Sequence, residues 1–329
     1  MTADTPPNAP PSPKLNEILT REEIARMTAR SNLRGAWAVV STWGLIALAF
    51  AFLARFPTAL GWVVAVVLLA GRQLALAILM HEGAHRTLFR TRWLNDFVAD
   101  WLCGRPIWAD LRKYRLHHLA HHAKTGTNED TDLSLVTPFP TTKASLVRRF
   151  ARDLLGMTGL KFLVGRILMD AGILKYTVAH DAKRLPRRAL HLHAFQAIRA
   201  GVPMLVTNLA LFGALAATGH AWMYGAWVLA YMTVFTLFVR IRSMAEHACT
   251  ERTTDMFRNT RTTRAGWLAR LTVAPLRVNY HLEHHVVASV PYFRLPELHR
   301  MLRDRGLLSA PPGYWDVLKL VSSRRPVHA

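Results

Sequence analysis

Eight histidines of this 329-residue chain fall into three clusters with the spacing of metal ligands. His81 and His85 stand four apart in His-Glu-Gly-Ala-His. His118, His121 and His122 follow in Leu-His-His-Leu-Ala-His-His, and His281, His284 and His285 close Tyr-His-Leu-Glu-His-His. Each helical residue advances by about 100°, so positions i, i+3 and i+4 share one face, while the adjacent last two diverge enough to serve different ions. The pattern predicts helical boxes and a dinuclear site. Eight imidazoles are too many for one four-coordinate zinc and suit two metals with open positions. Neutral imidazole accepts iron and zinc alike, so ligand type leaves the metal open. In the second box helical phase selects His118 as the first ligand, because His117 lies a further step round the helix.

His81-Glu82-Gly83-Ala84-His85 also satisfies the HExxH pattern of zinc proteases, but that chemistry needs one further ligand and leaves the other two boxes without use. The order HxxxH, HxxHH, HxxHH, with Val-Pro-Tyr-Phe-Arg-Leu-Pro-Glu-Leu-His after the last box, resembles the membrane fatty acid desaturase family over most of residues 35–305. The resemblance implies a centre of two iron ions that accepts electrons, activates O2 and removes two hydrogens from an acyl chain held in a narrow apolar tunnel. It also implies a separate electron donor, a ferredoxin or cytochrome b5-like protein with a reductase, since no such module or flavin fingerprint is visible in the sequence. Arg242-Ser243-Met244-Ala245-Glu246-His247 resembles a family segment in which a lone histidine joins the metals, which makes His247 a ninth ligand. A hydroxylase or ketolase acting on a lipid, alkane or carotenoid would use the same kind of histidine set, and the sequence leaves it open.

Such a centre needs elements that bring distant boxes to one side of a membrane. Apolar runs at 35–54, 59–80, 201–218 and 221–239 are each suited to crossing a hydrocarbon core of about 30 Å as a helix. The expected fold is an all-α membrane protein of four transmembrane helices with a cytoplasmic helical cap. Its expected organisation is a tail and short surface helix at 1–30, the membrane domain at 31–305, and a second tail at 306–329. Arg72 and Arg240 mark where two apolar runs meet the membrane surface. At about 1.5 Å per residue, His81 stands about 13 Å past Arg72 and His247 about 10 Å past Arg240, so both can reach one centre. Stretches 93–108 and 147–173 mix apolar and charged residues as helices lying along an interface do.

Lys and Arg number 42 against 21 Asp and Glu, a net charge of +21. In a soluble protein that would suggest nucleic acid, but no zinc knuckle, helix-turn-helix or aromatic-interleaved basic motif accompanies it. The basic residues crowd between the apolar runs, and of all of them only Arg55 falls in the two short far-side loops. The positive-inside rule then puts both termini and every histidine box in the cytoplasm. Cys103 and Cys249 cannot make a disulfide framework. The Pro-rich residues 1–13 lack the features of a signal peptide and read as a disordered tail.

Glu82, Glu246 and Glu283 each adjoin a ligand; such carboxylates either accept a hydrogen bond from a bound imidazole or form solvent-facing ion pairs. Asp130 and Asp132 are expected to shape a turn. His180, His191, His193, His220, His299 and His328 lack paired spacing and read as surface or interface residues.

Overall fold

Four helices in the computed structural model are long and apolar enough to cross a membrane. Among the described residues, 13–324, there is no strand, only three isolated bridges, as the all-α reading requires. Apart from Pro13, the Pro-rich stretch read as a tail lies outside the described residues.

Span one, Asn32–Arg55, starts at Ser31, whose hydroxyl accepts from Arg34 N, and span two, Ala59–Ala84, starts at Thr58, which caps Gly61 N in the same way. Both side chains satisfy an amide that a helix start leaves without an intrahelical partner. Span three, Leu190–Ala217, extends well ahead of its apolar run. Span four, Ala221–His247, breaks at Thr233 (φ −119°, ψ −87°). There Thr233 Oγ1 donates to Leu229 O at 2.5 Å, and Gly159 lies so close that a Cβ on it would meet Met232 O at 2.2 Å.

Span two is the centre of the molecule: 72% of its most apolar stretch is buried within the protein, against 17% for span three. Spans one and four, the helix of the second histidine box and a π-helical turn at Ala99–Gly104 all pack on it. Two glycines permit this approach. A Cβ at Gly71 would stand 2.1 Å from Leu271 O, and one at Gly83 would stand 2.1 Å from Ala99 Cβ. Gln73, fully buried in the same helix, donates to Trp227 O of span four at 2.8 Å.

Arg72 is met by the protein itself. It is buried, and its Nη2 donates to Leu271 O at 2.8 Å and Arg270 O at 3.4 Å, carbonyls at the end of the short helix Trp267–Leu271. Carbonyls at a helix C-terminus lack intrahelical donors and carry partial negative charge, so the protein itself meets this cation. Arg240 is met likewise. Asp153, wholly buried on the helix Lys143–Leu154, accepts from its Nε at 2.5 Å and its Nη2 at 2.8 Å.

Neither interfacial stretch is one helix. Residues 93–108 divide into Arg92–Val98, the π-helical turn and a 3-10 turn, with Trp93 and Phe97 exposed. Residues 147–173 divide at Gly156, whose φ of +76° suits glycine, into Lys143–Leu154 and Met157–Asp170. The N-terminal segment is more than a surface helix. Leu15–Ile18 and Arg21–Met27 bury Leu19 and Met27 against Val290, Leu298 and Leu302, behind the third box. Within the stretch read as a C-terminal tail, helix Tyr314–Val321 buries Val317 and Val321 against Leu146, Met244 and Ala248. Both cysteines are free.

Removing one partner of a buried ion pair leaves an uncompensated charge, a loss of about 3–5 kcal/mol. Asp153→Ala is therefore expected to lower the thermal unfolding midpoint sharply, and the double variant Asp153→Ala, Arg240→Met to recover much of it. Equal midpoints for Asp153→Ala and the parent protein would contradict the role given to this pair.

Candidate metal centre

Each histidine arrives on a helix or at its end. His81 is in the last turn of span two and His85 is its C-cap. His118, His121 and His122 ride on Leu111–Lys124, started by Asp110, which accepts from Lys113 N at 3.0 Å. His247 ends span four, and His281, His284 and His285 occupy the short helix His281–Val286. The fold gathers all nine into two groups. His81, His85, His118, His122 and His284 form one, and His121, His247, His281 and His285 the other, each with ligand nitrogens within 4.8 Å of one another. Adjacent histidines of both HxxHH boxes part company as their helical phase demands, His121 from His122 and His285 from His284.

The nitrogens face each other. His118 Nε2 lies 2.8 Å from His85 Nε2 and 3.1 Å from His122 Nε2, His284 Nε2 lies 3.0 Å from His122 Nε2, and His281 Nε2 lies 2.7 Å from His247 Nε2. In that last pair His247 Nδ1 faces Asn259 O and His281 Nδ1 faces Glu246 Oε1, each at 3.5 Å. A carbonyl oxygen only accepts, so the proton of His247 belongs on Nδ1 and its Nε2 lone pair points at His281, whose Nδ1 has no hydrogen-bond partner. Both ring nitrogens of His81 and of His285 are buried with no partner. A shared cation removes both problems: nitrogens bound at about 2.1 Å and a right angle apart stand about 3.0 Å from each other. The donor set therefore fits two metal ions, held by five and by four imidazoles.

Electrostatics agree. Burial, then neighbouring imidazoles, hold His118, His281, His284 and His285 well below the usual histidine pKa, and burial takes His122 to about 2. These rings are neutral and have lone pairs to give. His121 goes the other way: burial lowers its pKa, but the hydrogen bond to Asp130 and the charge of Asp132 outweigh it and raise the pKa.

Carboxylates surround the rings. His121 Nδ1 meets Asp130 Oδ1 at 2.7 Å, which leaves its Nε2 for a metal, and His117 Nε2 meets Asp132 Oδ1 at 2.7 Å, outside both groups. Asp130 does shape a turn, accepting from Asp132 N at 2.9 Å, and it orients a ligand as well. Glu82, Glu246 and Glu283 are all buried, which removes the solvent-facing reading. Glu246 accepts from Arg242 Nε at 2.6 Å. Glu82 Oε2 accepts from Thr87 Oγ1 at 2.7 Å and Tyr292 N at 3.0 Å, tying the first box to the segment after the third. The protease reading would leave unused the other seven histidines that the fold gathers with His81 and His85. Glu283 joins Thr262 Oγ1 and His299 Nδ1, the latter at 2.5 Å.

His299, expected at the surface or an interface and not among the ligands, is outside both metal groups but not at the surface. It is buried and braces the third box through Glu283, although only its place at the end of the Pro-Tyr-Phe-Arg-Leu-Pro segment hinted at that. His180, His193 and His220 stand apart from the metal groups, with His193 Nδ1 on Ala171 O and His220 Nδ1 on Thr218 O; His191 is exposed. His328 lies outside the described residues.

A cavity of about 500 Å³ opens beside the histidines. His118, His121, His247 and His281 line one part of it, and Leu74, Phe162, Leu168, Tyr231, Phe235 and Val239 are among its apolar walls. Its volume is typical of pockets that hold a single drug-sized ligand, so an apolar chain can be brought against the histidines.

The sequence matches the family described as "Fatty acid desaturase" over residues 57–317, a stretch holding every residue of both metal groups. It is also similar to the dihydrorhizobitoxine desaturase of Bradyrhizobium elkanii, at 24% identity over 252 residues that cover 74% of this chain and 68% of that one.

Two measurements test the ligand set. Metal analysis of purified variants is expected to show that His118→Ala loses metal while His117→Ala retains most of it; comparable losses would undo the phase argument. His247→Ala, correctly inserted, is expected to lose about half of its metal and nearly all turnover, because removing one of four ligands opens the smaller group. Full metal content and normal turnover would remove His247 from the set.

Proposed function

Since the chain belongs to the fatty acid desaturase family, an oxidoreductase family of membrane enzymes acting on lipids, we propose that it carries out O2-dependent desaturation of a fatty acyl chain. The reading is carried by one observation: two separate histidine groups, five and four strong, adjoin one largely apolar cavity. Two iron ions bound there supply the reduction of O2 and the abstraction of hydrogen. In the balanced step a –CH2–CH2– unit becomes –CH=CH–. O2 is reduced to two waters by the two hydrogens of the chain together with two electrons and two protons delivered from outside. The electrons come from a separate protein, a ferredoxin or cytochrome b5-like donor served by a reductase.

The residues of the chain have defined tasks in this reading. The nine histidines would hold the two ions, Asp130 fixes the tautomer of His121, and Glu82 and Glu283 brace the first and third boxes. The apolar walls hold the acyl chain and keep out water. The concentration of basic residues outside the far-side loops supports placing the centre and both termini on the cytoplasmic face. Hydroxylation by the same centre is the competing outcome, and the desaturase named among the relatives favours removal of hydrogen over insertion of oxygen.

A host expressing the protein is expected to accumulate a new unsaturated acyl product that His284→Ala abolishes, and the purified protein to hold two irons per chain. An oxygenated product in place of the alkene, or a single zinc with no iron-dependent turnover, would overturn the proposal.

A further inference from the structure

The cavity has a charged corner for which the metal chemistry gives no use. Arg166, on the helix Met157–Asp170, lines it, with Nε donating to Asp170 Oδ2 at 2.9 Å and the guanidinium 5.4 Å from the centroid of the Tyr176 ring. The other oxygen of Asp170 takes Lys113 Nζ at 2.6 Å. Two cations thus share one carboxylate, and Arg166 Nη2 is buried with no acceptor. The remaining cations on the walls differ. Arg240 is held by both oxygens of Asp153, Arg242 is held by Glu246, and Lys161 is exposed to solvent. A buried N–H of a charged group left without an acceptor is strongly unfavourable, so this corner calls for an acceptor oxygen from whatever occupies the cavity.

We propose that Arg166 seats the substrate's own carboxylate, and that the substrate is a free carboxylic acid lying inside the cavity with its apolar chain toward the histidines. The identity of the reacting end rests on the desaturase reading, whereas the anion seat does not. The planar guanidinium fork suits a carboxylate, and stacking on Tyr176 together with the Asp170 bond holds it in place for that contact. A cavity of about 500 Å³ takes one such molecule. The seat would distinguish a free acid from an acyl group whose carboxyl is masked as an ester or thioester.

The test is binding to purified, metal-loaded protein in lipid nanodiscs, without reductant so that nothing turns over. The probes are saturated acids from octanoic to octadecanoic, their methyl esters, and alkyl phosphates of matching length. The best acid is expected to bind about tenfold more tightly than its ester, a difference of about 1.4 kcal/mol. Arg166→Gln should erase that preference while leaving ester affinity unchanged, and Arg166→Lys should restore part of it. Equal affinities of acid and ester in the parent protein, a preference for phosphate, absence of binding by every acid, or equal loss of acid and ester in Arg166→Gln would each overturn the assignment. Product analysis separates this from the enzymatic reading: an acid-selective seat with no unsaturated product sinks the desaturase and keeps the seat, and turnover of esters alone does the reverse.

Discussion

The structure depends on burying neutral imidazoles nitrogen to nitrogen. A neutral ring has one N–H and one lone pair, so a cluster of rings can satisfy itself only in pairs. Here His118 Nε2 has His85 Nε2 and His122 Nε2 both close to it, and His122 has His284 as well. No assignment of single protons serves all of those contacts. Rings that Asp130 and Asn259 fix with Nδ1 protonated can offer only lone pairs from Nε2. The surrounding protein must then supply rigidity against lone-pair repulsion until cations arrive, because metal binding and the final order of such a site are coupled.

That rigidity comes from span two. It carries the first box and serves as the packing surface for span four, which carries His247, and for the helix of the second box. Gly71 and Gly83 let Leu271 O and Ala99 come close on two sides of it. The third box is fixed from behind. Glu82 reaches Tyr292 N, Glu283 reaches Thr262 and His299, and the N-terminal helices cover that region with Leu19 and Met27. Carboxylates that need hydrogen bonds when buried thereby become the struts between boxes far apart in the chain.

The ligand positions were legible because ligand spacing and helical phase are local properties. His118 with His121 and His122, and His281 with His284 and His285, obey a rotation that sequence alone determines. The four spans were legible because hydrocarbon thickness sets their length, although the start of span three and the break at Thr233 were not. Span three begins with polar residues that a hydropathy run excludes, and the break has neither Pro nor Gly to announce it, being set by the approach of Gly159. Partners across long separations were also hidden. Nothing at Arg72 points to the carbonyls of Arg270 and Leu271, and nothing at His299 points to Glu283, since both contacts exist only after the chain has folded.

Placing a ligand group at the end of span two solves one problem and creates another. The helix carries its histidines beyond its most apolar stretch, where polar loops can reach them, yet that is also where water could enter and weaken every electrostatic contact. The chain answers with coverage from both termini. The N-terminal helices close the side behind the third box, helix Tyr314–Val321 packs on Met244 and Ala248 beside His247, and the helix Met157–Asp170 lines the cavity between them. Segments with no metal-binding residues therefore decide how dry the centre is. An apolar ligand in the cavity would depend on that dryness as much as on the histidines, because water would compete with it for the space beside them.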